Sequence, residues 1–187
     1  MTLYQIPVQT ANEAHAREAF QALMWSMGYP GRSHELPTSD NDFVTIARSL
    51  LDLETSYFCA DPALDAHLAG TGARRKSIEN AAYVFIPHLT VESLELIQQV
   101  NVGTFEYPDE GATIFIGATF DAGPISTWRG PGISSARRVC LDGVPAEFWA
   151  IREQHTRYPL GFDVYFVDRG RVLGLPRTAQ VMQAEVA

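Results

Sequence analysis

The sequence is poor in lysine and cysteine, and it has no long apolar run. Lys76 is the only lysine, so arginine carries nearly all of the positive charge. Cys59 and Cys140 form no C-x-x-C pattern, which favours buried free thiols over a disulfide or metal framework. No stretch reaches the roughly 18 apolar residues of a membrane span, and the N-terminus does not resemble a secretory signal. We therefore expect a cytoplasmic protein that makes no membrane contact.

Positive charge is also scarce overall, with a formal net charge of −8. This balance disfavours nucleic-acid binding, which needs a basic surface to neutralise phosphates. A small anion is still a possible ligand, because surface charges are screened over roughly 8 Å and a few local arginines can dominate. With 187 residues, 46% of them hydrophobic, the chain suits one domain spanning residues 1–187 with a substantial core.

Motifs for metal binding and hydrolysis are missing from the sequence. The five histidines show neither H-x-x-x-H nor H-E-x-x-H spacing, which disfavours a metal site, and no G-x-S-x-G nucleophile elbow occurs. Asp163 and Asp168 are five residues apart along a predicted strand, so they should lie on opposite faces and form ordinary polar contacts rather than a carboxylate pair. These observations predict no catalytic residues, no metal and no cofactor.

The segment Gly70 to Ser77, GTGARRKS, differs from the phosphate-loop motif G-x-x-x-x-G-K-[ST] at one position. Arg75 stands where the second glycine belongs. A phosphate loop follows a strand and opens a helix, whereas this segment follows a predicted helix. We interpret it as an exposed basic loop.

Helical and strand patterns alternate along the chain and predict an α/β fold with a mixed sheet. Capping signals and apolar spacing indicate helices from Thr10 to Gly28, from about residue 39 or 40 to 51, over 62–69, after Thr90, and over 145–156. Apolar runs indicate strands at 56–60, 81–86, 112–117, 136–141, 162–167 and 171–175. Asp168-Arg169-Gly170 predicts an antiparallel hairpin, and 136–141 is expected to be an edge strand.

Arginines beside turn residues are the remaining candidates for a ligand site, because a guanidinium can bind phosphate, phosphonate or carboxylate through two hydrogen bonds. The alternative is that each arginine forms a surface salt bridge or contacts a partner protein. We expect the WRGPGI segment, from Trp128 to Ile133, to be mainly a strand-to-strand turn. Candidate ligand- or partner-binding residues are Arg129, Gly130, Gly132, Arg157, Asp163, Arg177 and Thr178. Arg177, which follows Pro176, is the strongest single candidate.

Several segments in order resemble the PhnH family of the bacterial carbon–phosphorus lyase system. They are FQALMWSM from Phe20, YPG from Tyr29, LLDLET from Leu50, YPDEGAT from Tyr107, RGPGI from Arg129, PLGFD from Pro159 and LPRT from Leu175. The resemblance runs from about residue 20 to about residue 181.

This resemblance implies a role in phosphonate catabolism, where PhnG, PhnH, PhnI and PhnL are associated with forming a ribose 1-phosphonate 5-triphosphate from ATP. It also implies a three-layer α/β/α sandwich, similar to the large domain of pyridoxal-phosphate transferases, and a homodimer that associates with the other core subunits PhnG, PhnI and PhnJ. Pyridoxal phosphate itself is not expected, because the basic loop around Lys76 does not resemble a ring-binding pocket.

Two functions from different classes remain open. The chain is either a non-catalytic complex subunit or a stand-alone nucleotide- or phosphonate-binding enzyme with an arginine and glycine anion site. The missing nucleophile, metal cluster and phosphate loop favour the non-catalytic subunit.

Overall fold

A computed structural model of the chain describes residues 9–183. Its elements in chain order are α1 (Ala11–Gly28), β1 (Ser33–Glu35), α2 (Asp42–Leu50), β2 (Ser56–Cys59), α3 (Pro62–Leu68), β3 (Arg74–Arg75), β4 (Tyr83–Ile86), α4 (Val91–Ile97), β5 (Thr113–Gly117), β6 (Thr119–Arg129), β7 (Arg137–Asp142), α5 (Ala146–His155), β8 (Asp163–Asp168), β9 (Arg171–Leu175) and β10 (Gln180–Gln183). Among these residues, no helix is both long and apolar enough to cross a membrane.

Local capping interactions explain where the helices begin. The Thr10 hydroxyl accepts from the Glu13 N–H at 3.2 Å, and the Glu13 carboxylate accepts from the Thr10 N–H at 2.7 Å. Asp61 caps α3 by accepting from the Leu64 N–H at 2.7 Å. The second predicted helix starts slightly later than expected, because the side chain of Asn41 supplies its cap.

The central sheet has seven strands in the order β1-β9-β8-β5-β4-β2-β3. Strands β3, β2, β4, β5 and β8 are parallel, while β9 runs antiparallel to β8, so the sheet is mixed as predicted. Phe85, Phe115 and Tyr165 lie side by side on β4, β5 and β8, and their adjacent rings stack at 4.8 and 5.1 Å. This aromatic row faces the layer that holds α1, α2 and α3.

A second, three-stranded antiparallel sheet, β10-β6-β7, covers part of the other face of the central sheet. Trp128 of β6 is fully buried, and its ring centroid lies 6.3 Å from that of Phe166 on β8. Helices α4 and α5 contribute to the same core. Strand β7 is an edge strand, as the sequence predicted, whereas β6 and β10 were not predicted.

Both cysteines are free thiols, Cys59 buried and Cys140 half-buried. Burial raises the pKa of the Cys59 thiol to about 11. This placement agrees with the sequence-based interpretation for Cys59, since a buried thiol of high pKa is unreactive at neutral pH.

Candidate functional site

The predicted site residues Asp163 and Arg177 lie at the amino edge of the parallel strands. Asp163 begins β8, and Arg177 follows the end of β9, its antiparallel neighbour. The Arg177 guanidinium donates to the Asp163 carboxylate at 2.8 Å, and the Arg177 N–H donates to the same carboxylate at 2.7 Å. The side chains are 13% and 24% exposed, respectively, so this ion pair is largely enclosed.

The remaining donors of Arg177 hold the loop that precedes β5. Its Nη1 donates to the Pro108 carbonyl at 2.6 Å, and Nη2 donates to the Gly111 carbonyl at 3.3 Å. Gly111 has no room for a side chain, because a Cβ there would meet the Gly161 carbonyl and the Arg177 guanidinium. Arg177 therefore links β8, β9 and the 108–111 turn, and a ligand-binding role for it stays a prediction.

The WRGPGI segment connects β6 to β7 and contains two glycines with positive φ. Gly132 has φ +80°, and a Cβ there would collide with the Gly28 carbonyl and Pro30 at the end of α1. Gly130 lies beside Thr178 and Ala179, which brings it close to another predicted residue. Arg129 is exposed at the end of β6. The segment is thus a strand-to-strand connection wedged against α1, as expected.

Arg157 lies in the loop that leads into β8, where its backbone pairs with Leu160 at 3.0 and 2.9 Å. Its side chain is exposed. All seven predicted residues therefore lie in loops or at strand ends, either near the amino edge of the central sheet or in the neighbouring small sheet. The structure does not bring them together into one site.

The GTGARRKS segment is not wholly a loop, because Arg74 and Arg75 form the edge strand β3 beside β2. The Arg74 N–H donates to the Thr55 carbonyl at 3.1 Å, and the Lys76 N–H donates to the Tyr57 carbonyl at 2.8 Å. Sheet pairing thus occupies backbone groups that a phosphate loop would direct at its ligand. This confirms that the motif is only a sequence likeness.

A cleft at the opposite, carboxyl edge of the sheet was not predicted. At this edge the chain leaves the neighbouring strands β2 and β4 towards opposite faces of the sheet. Helix α3, which follows β2, covers one face, and α4, which follows β4, covers the other. Such switch points commonly hold ligands in α/β proteins. The cleft has a volume of about 620 Å³, within the usual range for small-molecule sites. Its polar lining includes Asn41, Asp61, His67, His88, Asp142, Asp168 and Arg169.

Asp168 at the end of β8 is the buried charge of this cleft. Its carboxylate accepts from the Phe120 N–H at 2.9 Å, from Arg169 at 3.0 Å and from Arg171 at 3.1 Å. Burial alone would raise the pKa of Asp168, but these hydrogen bonds and the Arg169 charge outweigh it and lower the pKa below its usual value. Asp168 is therefore held as a carboxylate by its partners and joins β8 to β6.

The chemistry available in the cleft is binding through imidazole, amide and carboxylate groups. Within residues 9–183, no three histidine, cysteine or acidic side chains come together in a way that could hold a metal ion. Since the Asp168 carboxylate is already engaged by two arginines, the polar side chains left accessible to a ligand are the exposed ones: Asn41, His67, His88, Asp142 and Arg169.

Sequence analysis also missed Arg152, a buried arginine in the last turn of α5. Its signal in the sequence is its position three residues after Trp149, on the face of a helix that packs into the core. Arg152 donates to the carbonyls of Pro176 and Ala179 at 2.9 and 3.1 Å. The predicted residues Arg177 and Thr178 thus lie in a turn that a second arginine supports.

Comparison with known proteins gives a consistent family. Residues 8–182 match the model of a family described as "Bacterial phosphonate metabolism protein (PhnH)". The chain is 30% identical over 169 residues to "Putative C-P lyase subunit protein HtxG" of Stutzerimonas stutzeri, covering 87% of this chain and 84% of that protein. It is 33% identical over 87 residues to "Alpha-D-ribose 1-methylphosphonate 5-triphosphate synthase subunit PhnH" of Rhizobium meliloti, covering 44% and 42% of the two chains.

Proposed function

Because the chain belongs to the PhnH family of bacterial phosphonate metabolism proteins, we propose that it is an accessory, non-catalytic subunit of a carbon–phosphorus lyase complex. In this role it supports the formation of ribose 1-phosphonate 5-triphosphate from ATP and a phosphonate. The observation that carries the proposal is the family match over residues 8–182, nearly the whole chain. Both relatives are named as subunits, which favours this function over a stand-alone nucleotide- or phosphonate-binding enzyme.

We further propose that the chain forms a homodimer and associates with the core subunits PhnG, PhnI and PhnJ. Support comes from helix α1, which exposes large apolar side chains: Phe20, Met24 and Trp25 are 49%, 48% and 48% exposed. Tyr29 is 41% exposed and stacks on Trp25 at 5.6 Å. A contiguous set of exposed aromatic and apolar side chains is typical of protein-contact surfaces.

The proposal includes one domain over residues 1–187, a cytoplasmic location and kinship of the fold with the large domain of pyridoxal-phosphate transferases. The mixed sheet with helices on both faces is compatible with that kinship. We do not extend the kinship to the cofactor. Lys76 is exposed beside a two-residue edge strand, a poor position for a Schiff base, which needs an amine of lowered pKa.

Growth and assembly test the proposal together. A strain lacking this gene should not grow on methylphosphonate as sole phosphorus source, and the wild-type gene should restore growth. A tagged PhnG co-expressed with PhnI and PhnJ should retain this chain on affinity purification. Growth of the deletion strain equal to that of the parent, or turnover of ATP and methylphosphonate by the purified chain alone, would contradict the accessory role.

The exposed face of α1 can be tested in the same pull-down. Met24→Glu with Trp25→Glu should weaken association or dimerisation, because it places two charges in an apolar contact. Asn12→Asp adds a charge at an exposed position in the first turn of the same helix, two turns before Phe20, and is the control. Unchanged assembly in the double variant would place the contact surface elsewhere.

A further inference from the structure

A groove between α5 and the segment 176–183 is lined by two side chains, Arg152 and Thr156, that each have one polar atom without a partner within residues 9–183. Its volume is about 750 Å³. Its polar lining includes Arg152, Glu153, Thr156, Arg177, Thr178 and Gln180, and its apolar lining includes Trp149, Tyr158, Val181 and Met182. Arg152 lies in the last turn of α5, and Thr156 is the residue that directly follows this helix.

Two buried polar atoms of side chains that line this groove have no hydrogen-bond partner within residues 9–183. They are the Nε of Arg152 and the Oγ1 of Thr156. The only other such side-chain atom in that part of the protein is the Nε2 of His34, far along the sequence and outside the groove. Since an unpaired buried polar atom is costly, these two atoms favour binding of a further polar group or of water at the groove.

The charge of Arg152 is also without a direct counter-ion among the described residues. Arg152 is only 5% exposed, and it donates to carbonyls of the 176–179 turn rather than to a carboxylate. Burial lowers the pKa of Arg152 to about 10, and the nearby Asp163 charge partly offsets this effect. The arginine is still protonated at neutral pH. Asp163 is itself paired directly with Arg177, and Glu153, the one carboxylate that lines the groove, forms no ion pair with Arg152.

We propose that this groove binds a small tetrahedral oxyanion, a phosphate or phosphonate group, between Arg152, Thr156 and Thr178. The Arg152 guanidinium would supply charge and its free donor, and the two threonine hydroxyls would donate to further oxygens. Tyr158, 74% exposed at the groove, offers an aromatic surface for the organic part of the ligand.

Binding can be measured on the full-length chain with inorganic phosphate and with methylphosphonate, against sodium chloride at equal ionic strength. We expect saturable stabilisation in thermal unfolding, since a ligand that binds only the folded state raises its stability. In proton–nitrogen correlation spectra, the largest shifts should fall on residues 152–156 and 176–179 and on the Arg152 Nε–H signal.

Thr156→Val is the deciding variant, because it keeps the side-chain shape and removes only the unpaired hydroxyl. It should fold at least as well as wild type and weaken binding of both anions by on the order of tenfold, the value of one hydrogen bond to a charged group. Arg152→Lys should weaken binding at least as much. Thr45→Val, a buried threonine of α2 outside the groove, is the matched control and should bind normally.

Three results would overturn the proposal: no saturable binding of either anion, equal binding by wild type and Thr156→Val, or shifts centred on the carboxyl-edge cleft. Retention of this chain by tagged PhnG is measured separately. Loss of anion binding in Thr156→Val with normal retention would support the groove site and leave the accessory role intact. Normal anion binding with failed retention would count against the accessory role alone.

Discussion

Buried charged side chains are paired differently at the two ends of the central sheet. Strand β8 has an aspartate at each end, and each aspartate pairs with arginine. At the carboxyl end, Asp168 accepts from one backbone N–H and two arginines, and both arginines extend towards solvent. At the amino end, Arg177 is enclosed and donates to carbonyls as well as to Asp163, and Arg152 adds a second buried cation.

This difference distinguishes charged side chains that hold the fold together from charged side chains that remain available to a ligand. At the carboxyl end the buried charge is negative and satisfied, so a ligand would meet the exposed side chains of the cleft, among them His67, His88 and Asp142. At the amino end the positive charges exceed the carboxylates that contact them, so an anion would complete the arrangement. An ion pair that is nearly enclosed is also more costly to break than one that solvent can screen.

The largest effect should come from Arg177→Met at the amino end. This change leaves the Asp163 carboxylate and the Pro108 and Gly111 carbonyls without their shared donor. We expect a loss of roughly 2–4 kcal/mol in the free energy of unfolding, since Asp163 keeps some contact with solvent. Urea denaturation followed by circular dichroism measures it.

Arg157→Met provides the control at the same edge, because this side chain is exposed. It should change stability by no more than about 0.5 kcal/mol. If Arg177→Met is as mild as the control, the enclosed ion pair does not hold the loops together. A well-folded Arg177→Met protein that fails in pull-down would instead support the predicted partner-binding role.

Asp168→Asn should have the next largest effect, about 1–3 kcal/mol, because it removes a charged acceptor from the Phe120 N–H and from two arginines. The amide oxygen can keep one of these bonds, and Arg169 and Arg171 can turn to solvent. Asp142→Asn, an exposed carboxylate of the same cleft, is the control. A loss larger than that of Arg177→Met would reverse our ranking of the two ends.

The Asp168 contribution should also depend on pH. Its pKa is lower in the folded protein than in the unfolded chain, so the carboxylate stabilises the fold fully above the unfolded value of about 3.9. That stabilisation is lost as pH falls through the folded pKa. The stability difference between wild type and Asp168→Asn should therefore be constant from about pH 5 to 7 and shrink below about pH 4. A difference that stays constant down to about pH 3 would exclude a charged contribution.

Sequence reasoning predicted most of the central sheet, because its strands are short apolar runs between clear helix caps. Thr10, Asp61 and Thr90 all cap helices as expected. Strand β6 was missed because glycine and proline interrupt its apolar pattern, and the structure has an irregular register between Phe120 and Ile125. Strand β10 was missed because it is polar and gains its order from pairing with β6.

The candidate site was harder to predict than the fold. The position of Arg177 beside turn residues predicted it as a site residue. Its partners Asp163, Pro108 and Gly111 are distant in sequence and meet Arg177 only in the folded chain. Arg152 was overlooked because the sequence alone does not show that the face of α5 that carries Trp149 and Arg152 packs into the core. Burial without a counter-ion is a property of the folded chain and has no local signal.

The smallest effect should come from Lys76→Ala. This variant tests whether a cation that lies at neither end of the sheet contributes to stability or to ligand binding. Lys76 is exposed, and its backbone N–H already pairs with the Tyr57 carbonyl. We expect a stability change within about 0.5 kcal/mol and unchanged ATP titration by calorimetry. Borohydride treatment of wild type with pyridoxal phosphate should leave no adduct on Lys76 in mass spectrometry. A stable adduct on Lys76, or loss of ATP binding in the variant, would indicate that Lys76 is functional. Either result would also place a ligand site away from the amino edge of the sheet.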